Sequence, residues 1–278
     1  MKLAGNKAIV TGCSRGLGAV VAQAMWREGA DLLLVARSEA ALRDLRDRLA
    51  ASAPDGAGRQ AHAFAADLRD PEAPRAILAE ARRRWPRLDI LVNNAAIGGP
   101  IGPLEDNDWG AWRDTIQVNL LAPAELCKLS IAWMRETGGG RIVNLSGGGA
   151  ASPRPNFSAY AAAKCALVRL SETIAAESAD LGIRVNAVAP GALDTEMRRE
   201  ALASGLERAG AASDPWVAAS LIVYLASEES AGITGKLISA VWDPWRTLHQ
   251  HAADLVGTDV YTLRRVLPGE RGKAWGGE

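Results

Sequence analysis

Lys7-Ala8-Ile9-Val10-Thr11-Gly12-Cys13-Ser14-Arg15-Gly16-Leu17-Gly18 is an apolar run of strand length that breaks at once into a glycine-rich turn. Residues 19–28 then carry apolar side chains at helical spacing until Gly29 ends them. The order is strand, glycine turn, helix. So tight a turn needs glycine's freedom at positive φ and no Cβ where main chain meets a pyrophosphate. The helix behind it offers unpaired N–H groups and a partial positive charge. Gly12, Ser14, Arg15, Gly16, Leu17 and Gly18 are therefore candidates to cradle the phosphates of a dinucleotide.

Working outward, strands are expected at 31–36, 61–66, 88–92, 141–145, 183–188 and 236–241. Helices are expected at 39–51, 71–85, 107–136, from Ser158 to about Leu181, and at 214–226, the last opened by Asp214-Pro215 as N-cap and first helical residue. Alternation of this kind predicts an α/β chain, a single-domain, Rossmann-like, doubly wound parallel sheet. Pro123 removes a backbone donor inside the 107–136 stretch, so a local kink is expected there. Residues 98–103 read as a glycine and proline loop closing over the site.

In dinucleotide folds an acid at the end of the second strand accepts from the adenosine ribose. Here that corner is Ala36-Arg37, with Arg15 in the neighbouring turn, and two cations suit a 2′-phosphate. NADP(H) is thus expected rather than NAD(H). Asp67 reads as an acceptor for the adenine amino group. Asn93-Asn94-Ala95-Ala96 reads as a bridge between neighbouring strands beside a flat cofactor face. Both are also ordinary turn compositions.

Tyr160 and Lys164 lie four residues apart at the start of an alanine-rich helix, hence on one face about a turn from each other. A nearby ammonium favours phenolate, which would let the tyrosine exchange a proton with a substrate oxygen near neutral pH.

Composition bounds the partners. The 278 residues are 48% hydrophobic, enough for one large core, and Lys plus Arg equals Asp plus Glu at 32 each, which argues against nucleic acid or an anionic membrane surface. Cys13, Cys127 and Cys165 have neither zinc-site nor disulfide spacing, so no metal is expected. No apolar run approaches membrane-spanning length and the first ten residues lack a signal-peptide core, so the expectation is a cytoplasmic protein.

Together these features resemble the short-chain dehydrogenase/reductase family. The turn from Thr11 to Gly18, Asp67-Leu68, Asn93-Asn94-Ala95-Ala96, Asn119, Tyr160-x-x-x-Lys164 and Pro190-Gly191-x-x-x-Thr195 fall in the family's order and approximate spacing, over about residues 5–240. The resemblance implies Tyr160 as general acid/base and Lys164 on the nicotinamide ribose. It also implies that Asn119 holds a relay water and that Thr195 meets the carboxamide, with Leu68, Asn94, Ala95, Pro190 and Gly191 further along the cofactor. A small-molecule substrate and a homodimer or homotetramer built through the long helices follow from it.

Three departures matter. The family's serine thirteen places before the tyrosine falls on Gly147; Ser146 stands one place early and would face away along a regular strand. The glycines behind it make a bulge easy, so catalytic substitute and core hydroxyl both stay open. The loop Ser152-Pro153-Arg154-Pro155-Asn156-Phe157 offers Arg154 and Asn156 to a polar or anionic substrate, or simply to solvent. Finally, beyond a domain of residues 1–241 runs an extension, 242–278, dense in binding-type side chains (Trp242, Trp245, Tyr261, Arg264, Arg265) and expected to pack on the domain with some substrate contact.

The leading expectation is NADP(H)-dependent hydride transfer to or from the carbonyl or alcohol of a small polar substrate. Reduction of a C=N or activated C=C bond, oxidation-based epimerisation, and a non-catalytic cofactor sensor are the alternatives.

Overall fold

The computed structural model describes residues 1–52, 58–206 and 210–273. Seven strands, β1 (Lys7–Thr11), β2 (Asp31–Ala36), β3 (Ala61–Ala65), β4 (Ile90–Asn93), β5 (Gly140–Leu145), β6 (Ile183–Ala189) and β7 (Leu237–Ser239), form one sheet in the order β3-β2-β1-β4-β5-β6-β7. Every pairing is parallel. Successive side chains serve opposite cores, as the pleat demands. Ala8, Val10, Leu32 and Leu34 face α1 (Gly16–Arg27) and α8 (Pro215–Ala226). Ile9, Leu33, Leu91 and Ile142 face α3 (Ala73–Arg84), α5 (Ala122–Glu136) and α6 (Ser158–Glu177). The helices α2 (Glu39–Ala51), α4 (Trp109–Ile116), α7 (Glu196–Ala203) and the short α9 (Ala252–Leu255) complete the layers.

The strand order reverses between β1 and β4, and a crevice opens there beyond the carboxyl ends of the strands. Ser38 caps α2 through Ala41 N–H, and Asp214 caps α8, its carboxylate accepting from Trp216 N–H at 2.9 Å. The kink expected near Pro123 is a π-helical turn, Gln117–Leu121, between α4 and α5, with Asn119 inside it. Two expectations shift. The last strand is three residues rather than 236–241, because Asp243 accepts from Ser239 N–H at 2.7 Å and turns the chain away. The helix through Lys164 stops at Glu177, and a single 3-10 turn, Ala179–Leu181, follows.

The described part of the C-terminal extension belongs to the same core. Trp245, Leu248 and Leu255 are buried with α8, and Trp245 Nε1–H donates to the Ala240 carbonyl at 3.1 Å. The Tyr261 carbonyl accepts from Leu237 N–H at 2.7 Å, so the extension covers the open edge of β7. Trp245 and Tyr261 are structural; of the aromatic residues expected to meet a ligand, Trp242 alone overhangs the crevice, 84% exposed. Arg264 pairs with Asp259 and Glu270 within the extension, and neither it nor Arg265 lines the crevice. Among the described residues no helix is long and apolar enough to cross a membrane, and no group of three or more His, Cys, Asp or Glu is arranged to hold a metal ion.

Candidate active site

A cleft of about 1660 Å³ runs along the switch point, from Arg37 and Asp67 at one end to Tyr160 and Arg154 at the other. At its centre is the glycine turn. Gly12 (φ +67) lies against β4: a Cβ there would stand 2.6 Å from Ala95 Cα, and one on Gly18 would collide with the Gly12 carbonyl. Thr11 Oγ1 accepts from Asn94 and Ala95 N–H (3.0 and 3.1 Å), and Asn94 Nδ2 donates to the carbonyls of Thr11 and Gly12 (2.9 and 3.1 Å). Asn94 therefore bridges the end of β4 to the turn and fixes it, and Gly12 and Gly18 leave no Cβ at the two points of closest approach. Nothing acidic stands in the first turn of α1, and Arg15 at its N-cap makes no side-chain cap bond. An uncapped positive helix end facing a cleft, with glycine on its inner wall, fits a pyrophosphate.

Ser14, Gly16, Leu17 and Leu68 line the cleft with it, as do Pro190 and Gly191 after β6. Arg37 stands exposed at the end of β2 and, among the described residues, forms no ion pair. Arg15 pairs with Glu196 at the start of α7. At the Arg37 end of the cleft Asp67 is held below its usual range by hydrogen bonds from Arg69, a residue sequence reading passed over. Thr195 caps α7, accepting from Arg198 N–H at 3.2 Å, and lies across from Gly16.

At the far end, α6 holds the Tyr-Lys pair. Its position is set by a buried polar chain: Asn93 Nδ2 donates to Asn144 Oδ1, Asn144 Nδ2 to Ser171 Oγ, each at 2.8 Å, linking β4, β5 and α6. Tyr160 is 8% exposed and lines the cleft. Lys164 is wholly buried, donates from Nζ to the Leu145 carbonyl at 2.7 Å, and lies 5.8 Å from the centre of the Tyr160 ring. Burial alone pulls its ammonium down to about 8.

A Cβ built on Gly147 would run into the Tyr160 hydroxyl, with Cζ and Cε1 at 3.1 and 3.2 Å. Gly147 is thus the residue that faces the phenol. Ser146 continues the sheet without a bulge, its N–H donating to Val188 at 2.8 Å, and its Oγ is buried with no hydrogen-bond partner among the described residues. It nonetheless lines the cleft beside Gly147, so a core hydroxyl and a catalytic substitute both stay open.

Asn119 is anchored to the loop after β4. Both ends of its amide are used on one residue, accepting from Ile97 N–H at 2.9 Å and donating to Ile97 O at 2.8 Å, and it does not line the cleft. It ties the π-turn to the loop after β4. Asn156 likewise stays outside: it adopts φ 69°, and its carbonyl accepts from Gly102 N–H at 2.9 Å, so it shapes the loop. Arg154 does line the cleft, its guanidinium carbon 3.9 Å from the centre of Phe157 and 5.6 Å from that of Tyr160. Phe157, Ile101, Met197 and Ala201 pack with the phenol, and Ser146, Ser152, Arg198 and Glu200 add polar groups to the same cleft. Met197 and Ala201 come from α7, which sequence reading missed; Thr195 as N-cap was its one local signal. Gly98 meets Met197, so the 98–103 loop and α7 roof the same space.

The fold and this cleft are those of a dinucleotide-binding α/β oxidoreductase. The short chain dehydrogenase family profile matches residues 6–204, and the chain belongs to that family. It is 33% identical to cis-4-hydroxycyclohexanecarboxylate dehydrogenase of Sinomonas cyclohexanicum, over 84% of this chain and 93% of the relative. It is 32% identical to the 3-oxoacyl-acyl-carrier-protein reductase FabG of Vibrio harveyi, over 86% and 96%. A solved structure from Beutenbergia cavernae, provisionally assigned as an NAD(P) dependent gluconate 5-dehydrogenase with NADP bound at low occupancy, superposes with TM-score 0.75 at 32% identity, covering 86% of this chain and 96% of that one.

Proposed function

We propose that the protein moves hydride between NADP(H) and the carbonyl or alcohol carbon of a small substrate, with Tyr160 as the general acid/base. The observation behind this is that one continuous cleft joins the glycine cradle and uncapped α1 to Tyr160 over buried Lys164. When bound, the dinucleotide supplies or accepts the hydride. The protein does the rest. Gly12, Gly16 and Gly18 make room for the pyrophosphate, and Arg37, joined by Arg15 once it exchanges Glu196 for the phosphate, meets the 2′-phosphate, with Arg69 neutralising the nearby Asp67. Pro190, Gly191 and Thr195 wall the nicotinamide end. In the reducing direction the Tyr160 hydroxyl donates its proton to the carbonyl oxygen, and the Lys164 ammonium beneath the ring favours that loss. Ile101, Phe157, Met197 and Ala201 exclude water around the reacting carbon.

NADP in the Beutenbergia relative, and relatives named for a hydroxycyclohexanecarboxylate and a gluconate, support the cofactor and a hydroxy or oxo substrate. A homodimer or homotetramer is part of this reading. Absorbance at the nicotinamide band, followed with NADPH and NADH against a panel of small ketones, tests it. NADPH consumption with at least one ketone is the expected result, and binding of NADPH without turnover of any would point to a cofactor-sensing protein instead.

A further inference from the structure

We propose that Trp242 determines substrate specificity by stacking on a flat apolar ring that the substrate carries beyond its reacting carbon; this rests on the hydride-transfer reading above. Trp242 is 84% exposed and its neighbour Val241 41%, yet Trp242 lines the same cleft as Tyr160. A lone exposed apolar side chain is ordinary on an open surface. At a cleft, on a backbone held from several sides, it is a contact surface for what enters. The turn that presents the indole is held in this way. Ser239 Oγ accepts from Val241 N–H at 3.3 Å and Trp242 N–H at 3.1 Å, and the Asp243 carboxylate accepts from Ser239 N–H at 2.7 Å. Behind them Ala240 N–H donates to the Ala189 carbonyl at 2.9 Å, and the Ala240 carbonyl accepts from Trp245 Nε1–H. Gly191 is the seat: a Cβ there would stand 2.6 Å from Val241 Cγ2. The indole is therefore displayed on a preorganised turn, and little backbone ordering remains for binding.

The charged groups on the stretch that follows this seat are already engaged. Asp194 pairs with Arg199 at 3.1 Å, Glu196 pairs with Arg15, and Arg198 Nη2 donates to the Gly210 carbonyl at 2.6 Å. The Ser239 hydroxyl is used on the turn itself. Ser146, Ser152 and Glu200 remain along the cleft for the polar functions of a substrate, and none of them supplies an apolar face. Trp242 does. A flat ring laid against an indole gains by removing apolar area from water and by offset stacking, whereas a hydroxyl or a short alkyl group gains little of either. The substrate class is thus a ketone or alcohol whose skeleton ends in an aromatic ring, its oxygen on Tyr160 and its ring on Trp242. The ring is not a reactant. Hydride adds to the carbonyl carbon, the Tyr160 proton to its oxygen, and one dinucleotide is oxidised per ketone reduced.

The test measures kcat/KM with NADPH for 1-phenylpropan-2-one, 4-phenylbutan-2-one and 6-phenylhexan-2-one, each against the methyl ketone of the same chain without the ring, in wild type, Trp242→Ala and Trp242→Phe. In wild type at least one ringed ketone should exceed its ringless partner. That preference should fall roughly 5–30-fold in Trp242→Ala, chiefly through KM, and stay within about threefold of wild type in Trp242→Phe, with the ringless ketones little changed. No preference in wild type, a preference unmoved by Trp242→Ala, an equal loss on ringed and ringless ketones, or a loss in Trp242→Phe as large as in Trp242→Ala overturns the inference while leaving hydride transfer standing. If no ketone is turned over, the hydride-transfer reading fails for these compounds, and calorimetric titration of the same ketones with NADP+ present decides. Ring-dependent binding that Trp242→Ala weakens sustains the site, and equal or absent binding removes it.

Discussion

Gly147 presents its bare Cα to the hydroxyl of Tyr160, so closely that a Cβ at that position would overlap the phenolic oxygen. The phenol fills the volume that a residue 147 side chain would need, so one of the two must shift if a Cβ is added. Replacing Gly147 by Ser or Ala should therefore displace the hydroxyl. A misplacement approaching 1 Å costs on the order of 10²-fold in rate. Both variants should lose kcat/KM in a steady-state assay; a gain in Gly147→Ser alone would show that a missing donor, not space, limits the native site.

Lys164 sets a pH limb. Its ammonium is pulled down to about 8 by burial, so the cation under the phenol is present below that pH and lost above it. The rate of ketone reduction should fall as pH rises through about 8, and Lys164→Met should lower the plateau and abolish the limb. Stability moves the other way. An unfolded lysine holds its proton to about pH 10.4, so between about 8 and 10.4 the unfolded chain binds more protons and this group's contribution to stability rises with pH. Denaturant midpoints of wild type and Lys164→Met across that window check the sign.

Arg37 is exposed, lines the cleft and, on the proposed reading, meets the 2′-phosphate of NADP(H). Arg37→Ala should weaken NADPH roughly 10–100-fold, as expected for a lost charge-assisted bond, with little change for NADH. Calorimetry with both cofactors measures this. Equal wild-type affinity for the two would contradict the assignment.

The extension offers an internal control in two tryptophans. Trp245 is 5% exposed and packs on Tyr224 with ring centres 5.8 Å apart, whereas Trp242 is 84% exposed. Trp245→Ala should cost about 3–5 kcal/mol, and Trp242→Ala no more than about 0.5 kcal/mol. Thermal midpoints separate them.

What the sequence made legible was what is local. The glycine turn, Asp214 as a cap, the Pro123 disturbance and the strand alternation each follow from a few neighbouring residues, and each is in the structure. Long-range choices were not legible. Trp242 and Trp245 are equivalent as letters, and only the docking of the extension on α8 buries one and exposes the other. Nor does anything local announce that Asn119 bonds Ile97 through both ends of its amide. Helix α7 hid because its apolar residues, Met197 and Ala201, face a cleft rather than a core stripe. The departure at Gly147 was visible by counting, but that the tyrosine itself fills the gap required coordinates.

The most direct measurement is the single-turnover rate of NADPH oxidation by a reducible ketone in Tyr160→Phe, paired with NADPH affinity in the same protein. With the phenol as proton donor, the rate should drop by about 10²-fold or more while the dissociation constant for NADPH stays within about twofold of wild type. A Tyr160→Phe protein that reduces the ketone at the native rate would contradict the account at its centre.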